Sequence, residues 1–354
     1  MTRLKDRLLS MIAADGPMPL STYMTLCLHD PMTGYYATRP GLGRDFITAP
    51  EISQIFGELI GLWTAESWSQ IGSPNPVILS EIGPGRGTLM KDALRATKGV
   101  TGFHAALDLR LIEASPALRQ TQSQNVTEVK PNFAASISDL PDGPTILIAN
   151  EYLDCLPARQ FVHDGGDWRE RVIGISDNET ELVFGLGVDR APEGTFPNDP
   201  GTENAAIEFQ PGLEELIETL AERAQTGQPL IALFIDYGTI DPAPQDTLRA
   251  FQDGSQIHPL EAPGESDLTV DVDFGRLKRL ADRYGFSVFG PIEQGPFLLS
   301  LGAENRLNQL AQSAIDGGQN LYEGVKRLVD PAEMGSRFKV IAVSNIDSFS
   351  PAGF

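Results

Sequence analysis

The sequence predicts an α/β protein built on a Rossmann-like sheet of seven strands, with an N-terminal helical region and a β-rich insertion. Three observations predict it. Short runs rich in Val, Ile and Leu recur at 77–82, 109–113, 131–134, 145–149 and 229–236, with helix-forming stretches between most of them; this is the rhythm of a mostly parallel sheet. The first run passes through three alternating glycines, Gly83, Gly85 and Gly87, into the helical stretch 89–96. Two later runs, one near 287–301 and one at 338–344, supply a paired sixth and seventh strand.

The elements follow in order. Residues 4–14 and 19–28 have helical patterning, the second entered through Ser21. Thr48-Ala-Pro-Glu51 reads as a capping box with proline in the first turn, which gives Glu51 a structural task as a cap. Behind it Ile52, Ile55, Phe56, Leu59, Ile60 and Trp63 keep one helical face. Trp168 to Val188 holds two alternating runs around Ser-Asp-Asn-Glu, the pattern of a hairpin or small sheet. Residues 211–225 return to helix, 240–267 are Pro- and Gly-rich and read as one long loop, 273–284 is a helix, and 303–330 is a helical excursion. The chain divides accordingly into an N-terminal helical and lid region (1–75), a first part of the core (76–164), the β-rich insertion (165–210), and the remainder of the core (211–347).

The first strand ends as Ser80-Glu81-Ile82-Gly83-Pro84-Gly85-Arg86-Gly87-Thr88. Glycines there let the backbone turn sharply and let a ligand lie against it without meeting Cβ atoms. The dinucleotide fingerprint wants glycine where Thr88 stands, and no Lys-Ser/Thr pair follows to cradle phosphate. Glu81 would repel a pyrophosphate but suits a cation. Acid-x-Gly-x-Gly-x-Gly after a first strand resembles the pattern of S-adenosylmethionine (SAM) methyltransferases, whose cofactor carries a sulfonium, an ammonium and no phosphate. Glu81, Gly83, Pro84, Gly85 and Gly87 are the expected cofactor residues. Glu113 closes the next strand, where a carboxylate accepts hydrogen bonds from ribose hydroxyls. The bland readings are an ordinary glycine turn and a solvated strand-end acid.

Bulk properties narrow the class. The chain has 354 residues and a formal charge of −21, which argues against a nucleic-acid partner; solubility accounts for the acid excess without invoking a basic partner. No apolar run has the length of a membrane span, and the N-terminus has no apolar leader, so the expected location is the cytoplasm of a bacterium, or the mitochondrial matrix in a eukaryote. Cys27 and Cys155 are the only cysteines, and His29, His104, His163 and His258 lack metal-ligand spacing, so no metal site is expected. Oligomeric state is not legible, and a homodimer stays open.

The fourth strand ends as Asn150-Glu151-Tyr152-Leu153-Asp154 before Pro157, a second chemical site on the carboxyl edge. Methyl transfer is an in-line displacement governed by positioning and charge. A guanidinium nucleophile is fully protonated and needs a carboxylate to orient it and accept its proton. Asn150, Glu151 and Asp154 are the candidates. The structural alternative makes Asp154 a helix cap and gives Asn150 only strand-end backbone groups to satisfy.

Taken together, Gly34-Tyr-Tyr36, the stretch Gly43-Arg-Asp-Phe-Ile-Thr-Ala-Pro-Glu-Ile-Ser-Gln-Ile-Phe-Gly-Glu58, the glycine loop, Asn150–Pro157, Asp236-Tyr-Gly238, Thr247-Leu-Arg249 and Met334-Gly335 resemble the MidA family nearly end to end. That resemblance implies a seven-stranded SAM methyltransferase sheet with added helices and a β insertion. It also implies symmetric dimethylation of an arginine in the 49-kDa-type subunit of NADH dehydrogenase, in support of complex I assembly. It colours Tyr35, Tyr36, Asp45, Phe46 and Thr48 as a lid over the cofactor, with Tyr36 and Thr48 touching it. For the tyrosines, core packing with a wet hydroxyl is the alternative. Asp236 is a candidate substrate contact and His258 a candidate proton acceptor. The competing functions are a SAM-binding assembly chaperone without turnover, a small-molecule methyltransferase, and a dinucleotide-dependent oxidoreductase.

Overall fold

The computed structural model describes residues 4–38, 47–190, 205–312 and 318–354; Asp45 and Phe46 of the expected lid lie outside them. The chain divides into two compact units, one drawn from 1–46, 154–214 and 241–271, the other from 47–153, 215–240 and 272–354.

The larger unit carries the sheet. Its elements are α1 (Ala49–Ile52), α2 (Gln54–Gln70), β1 (Val77–Ile82), α3 (Thr88–Thr97), β2 (Leu107–Ile112), α4 (Pro116–Asn125), β3 (Asn132–Ala134), β4 (Thr145–Asn150), β5 (Leu230–Thr239), β6 (Ser287–Glu293) and β7 (Phe338–Ser344). The strand order is β6-β7-β5-β4-β1-β2-β3, and Val272–Asp273 adds a short eighth strand beside the end of β5. Strands β3, β2, β1, β4 and β5 run parallel, and β7 pairs antiparallel with both β5 and β6. This is the seven-stranded mixed sheet the alternation predicts. Every residue of β1 and of β4 is buried, as a strand covered on both faces requires. Phe56, Leu59 and Trp63 of α2 and Leu89 and Leu94 of α3 form one core with Val77, Leu79, Ile146, Ile148 and Leu233 of the strands. Each such side chain contributes about 1.5–3 kcal/mol by leaving water. Helices α2 and α3 come unusually close at Gly61, where a Cβ would stand 2.5 Å from the Cα of Ala93. That contact seats α3, and hence the glycine loop before it.

The smaller unit holds a five-stranded antiparallel sheet that includes Arg159–His163, Trp168–Ile175, Leu182–Arg190 and Ala206–Phe209. The hairpin expected over 168–188 is there. Helices Leu4–Asp15 and Leu20–His29 pack with it around Leu8, Tyr23, Met24 and Ile173.

Three expectations need correction. The stretch 240–267 is not one loop: Arg249–Gln252 and Ser255–Ile257 form a hairpin, and Asp267–Thr269 pairs with its first strand. Asp253 and Gly254 take φ of 50° and 76°, the left-handed pair that an Asp-Gly hairpin turn needs. The strand near 287–301 stops at Glu293, and Gln294–Ser300 is a helix that buries Phe297 and Leu298; a short apolar run does not by itself distinguish the two. Finally, Thr48 makes no side-chain cap. The long helix starts at Gln54, capped by Ser53, whose hydroxyl accepts from the Ile55 N–H at 3.3 Å.

Candidate functional site

The carboxyl ends of β1, β2 and β4 bring most of the expected residues together. Past β1 the chain turns through Gly83, Gly85 and Gly87 with φ of 66°, 52° and 78°, a succession that side-chain-bearing residues rarely adopt. The Gly87 N–H donates to the Pro84 carbonyl at 2.7 Å, closing the turn. A Cβ on Gly83 would stand 3.1 Å from the ring of Tyr152, and one on Gly87 would stand 3.0 Å from Val126.

Three side chains outside the loop hold it. Gln122 of α4, fully buried, donates through Nε2 to the Gly85 carbonyl at 2.8 Å and to Glu113 Oε2 at 3.1 Å. Asn125, one turn on, donates to the Arg86 carbonyl at 2.8 Å. Glu51 of α1 accepts from Arg86 Nη2 and from the Thr88 hydroxyl, each at 2.5 Å. Glu51 therefore is not a cap; its carboxylate reaches 35 and 37 residues along the chain to the loop. Sequence reading missed Gln122 and Asn125 as well, although amides three apart on a helix after the ribose-type strand were a usable signal.

Glu113 accepts the Ser115 N–H at 2.7 Å, and burial raises its carboxyl above the ordinary range. Glu81 is more extreme. It is 3% exposed, burial pushes its pKa up to about 8, and its Oε2 has no hydrogen-bond partner among the described residues. Asn150 Oδ1, at the end of the adjacent strand, is likewise buried and unpartnered. In register, Ile82 lies opposite Ala149, so Gly83 and Asn150 are the next step on neighbouring strands. Two orphan acceptors beside a three-glycine turn suit a ligand that brings N–H donors and positive charge.

Glu151 takes φ of 51°, left-handed for a residue with a side chain. Its N–H donates to the Ile235 carbonyl at 2.8 Å. Its Oε1 accepts the Ala49 N–H at 2.7 Å and Asn150 Nδ2 at 3.2 Å. Short helix α1 thus joins the two turns, its first N–H on Glu151 and its Glu51 side chain on the glycine loop. Thr48 precedes that helix and contributes its carbonyl to the Glu51 N–H at 2.9 Å.

Asp154 and Tyr36 belong to the smaller unit. Asp154 does not cap a helix; its Oδ2 accepts the Thr269 hydroxyl at 2.8 Å, and its carbonyl accepts the Val270 N–H at 3.1 Å. Tyr36 donates to Asp267 Oδ1 at 2.9 Å, and burial, with Asp267, Cys155 and Asp154 nearby, drives its phenol well above its usual range. Tyr35 is buried in the same core and stacks edge-on against Tyr36. His258 packs its ring at a tilt against Phe184 and accepts the Leu260 N–H through Nδ1 at 3.3 Å. Thr247 donates to Glu208, and Arg249 pairs with Asp271 at 3.1 Å.

Known proteins bear on the same features. Residues 59–292 match the family model of an S-adenosyl-L-methionine-dependent methyltransferase. The chain is 35% identical over 390 residues to the "Protein arginine methyltransferase NDUFAF7 homolog, mitochondrial" of Drosophila melanogaster, with 99% of this chain and 88% of that protein covered. It is 34% identical over 372 residues to "Protein arginine methyltransferase NDUFAF7, mitochondrial" of Homo sapiens, covering 97% and 83%. A crystal structure from Burkholderia thailandensis bound to S-adenosyl-homocysteine superposes with a TM-score of 0.84 at 25% identity, covering 99% of this chain and 93% of that one. The chain belongs to this family of SAM-dependent methyltransferases.

Proposed function

We propose that the protein is a protein arginine N-methyltransferase that forms symmetric dimethylarginine on the 49-kDa-type subunit of NADH dehydrogenase and so supports assembly of that complex. The observation that carries the reading is Glu151: a carboxylate on a left-handed turn at the end of β4, beside the orphan acceptors Glu81 Oε2 and Asn150 Oδ1. The names of the relatives, which run nearly the length of this chain, support the choice of arginine.

Glu81, Gly83, Pro84, Gly85, Gly87 and Glu113 would hold the cofactor, the glycines by leaving room and Glu81 by facing its positive charge; Thr48 stands as a further contact. When bound, SAM supplies an electrophilic methyl on a sulfonium. Glu151 then orients a guanidinium, draws charge away from the attacking nitrogen and accepts the proton that the nitrogen gives up. Asn150 sets the Glu151 carboxylate through its 3.2 Å bond. The core segments 76–164 and 211–347 carry the cofactor in this reading, with 1–75 as the helical and lid region and 165–210 as the β-rich insertion. The setting is the cytoplasm of a bacterium or the matrix of a mitochondrion; among the described residues no helix is long and apolar enough to cross a membrane.

The test is incubation of the protein with SAM and the purified 49-kDa-type subunit, followed by mass spectrometry of the subunit. Symmetric dimethylarginine that disappears with Glu151→Gln is expected. An unmodified subunit with wild-type protein, while S-adenosyl-homocysteine still binds, would favour the chaperone alternative.

A further inference from the structure

Strand β5 is apolar from Leu230 to Ile235 and then carries a fully buried carboxylate, Asp236. An apolar residue would serve the sheet at that place equally well, so the acid answers a different need. Its Oδ2 accepts the Leu153 N–H at 2.7 Å and its Oδ1 accepts the Tyr237 N–H at 2.9 Å. The residue before it, Ile235, accepts the Glu151 N–H at 2.8 Å. Two consecutive residues of β5 therefore grip alternate N–H groups of one turn, at 151 and at 153. At the first of those grips Glu151 holds φ of 51°, a conformation that a glutamate leaves readily unless its neighbours over-determine it.

We infer that Asp236 is a positioning residue for methyl transfer: it clamps the 150–153 turn through the Leu153 N–H and so keeps the Glu151 carboxylate in its working place. The inference rests on the reading of Glu151 given above. It gives Asp236 a task within the protein beside the expected substrate contact, since two of its acceptor positions go to backbone N–H groups of the chain itself. The geometry also explains why an acid, and not an amide, stands there. A carboxylate accepts on both oxygens, whereas Asn would turn an N–H₂ donor toward one of two N–H donors.

The experiment compares Asp236→Asn, Asp236→Glu, Glu151→Gln and the double variant Glu151→Gln/Asp236→Asn on the full chain, with the 49-kDa-type subunit as methyl acceptor. Asp236→Asn should lower kcat roughly a hundredfold, the cost of a misplaced reacting group. Asp236→Glu, which keeps the acid but moves it by one methylene, should lose less and guards against a folding defect. The Kd for S-adenosyl-homocysteine should stay at the wild-type value in both. The double variant should be no slower than Glu151→Gln alone, because a clamp has nothing to position once the carboxylate is gone. Amide exchange should quicken at 151–153 and stay unchanged at 83–88. Wild-type turnover by Asp236→Asn, or a double variant slowed by the product of both single effects, would overturn the inference while leaving Glu151 in place. Full turnover by Glu151→Gln would overturn the reading of Glu151 and the inference with it.

Discussion

Two turns stand side by side at the carboxyl ends of neighbouring strands, and they are built on opposite terms. After β1 the chain bends with glycines, whose positive φ values cost little sterically. After β4 it bends with Glu151 at nearly the same φ as Gly85, where a side chain is disfavoured by roughly 1–2 kcal/mol. In the proposed reading the first turn is bare so that a ligand can approach backbone, and the second carries the working carboxylate. Its conformational cost is offset by contacts from Ile235, Asp236 and Ala49. Room is supplied locally; a placed charge needs support from distant parts of the chain.

The largest test breaks the first turn. Gly85→Val puts a branched side chain at φ of 52° and into the cofactor's place, so calorimetry should show no binding of S-adenosyl-homocysteine. Normal binding would remove the loop from the site. Next, Glu151→Gln should leave that binding intact while turnover falls by roughly two to four orders of magnitude, the usual loss with a proton-accepting group; equal damage to both would mean the two turns are not separable.

A third test uses Glu81, whose folded pKa of about 8 lies above its ordinary value of 4.5. Between those values the folded protein holds a proton that the unfolded chain has released. Stability from this group is therefore full at acid pH and is lost as pH rises toward 8. If the ionised carboxylate faces the cofactor's ammonium, binding must expel the proton. Affinity for S-adenosyl-homocysteine should then climb with pH up to about 8, with proton release visible as a buffer-dependent binding enthalpy. Glu81→Gln should flatten both curves, and a pH-independent affinity in the wild type would refute the pairing.

Two smaller effects sharpen the contrast. Glu151→Gly and Glu151→Ala both remove the carboxylate, so their difference isolates the backbone. The glycine variant should be the more stable by about 1 kcal/mol in urea unfolding, and the reverse order would show that the turn relaxes on losing its side chain. Glu51→Gln should weaken S-adenosyl-homocysteine binding severalfold, equivalent to about 1 kcal/mol, since the Arg86 side chain it loses is 40% exposed and screened. An unchanged Kd would mean that Gln122 and Asn125 hold the loop alone.

The same contrast explains what could be read from the chain. Gly83, Gly85 and Gly87 announce their turn because glycine's freedom is a local property, and β1 and β4 announce themselves by short runs rich in Val, Ile and Leu. The clamp on Glu151 is invisible, since nothing near Asn150 names Ile235 or Asp236 as its partners. Glu51 was misread because Thr48-Ala-Pro-Glu51 satisfies a local capping pattern, whereas its donors are Arg86 and Thr88. The hairpin inside 240–267 was missed for another reason. Its strands span only three or four residues, too short for alternation to show, although Asp253-Gly254 marked the turn.

The interleaved chain has a consequence for synthesis. Each unit is assembled from three separated stretches, and β5, in the middle of the sheet, arrives only with residues 230–239. Its antiparallel neighbour β7 arrives with 338–344. While the polypeptide emerges from the ribosome, β4 therefore presents a bare hydrogen-bonding edge until residues 230–239 follow, and β5 presents one until 338–344 follow, each an invitation to wrong pairing. Folding of the sheet is a late event with many distant contacts, and no fragment that stops short of residue 338 contains all seven strands.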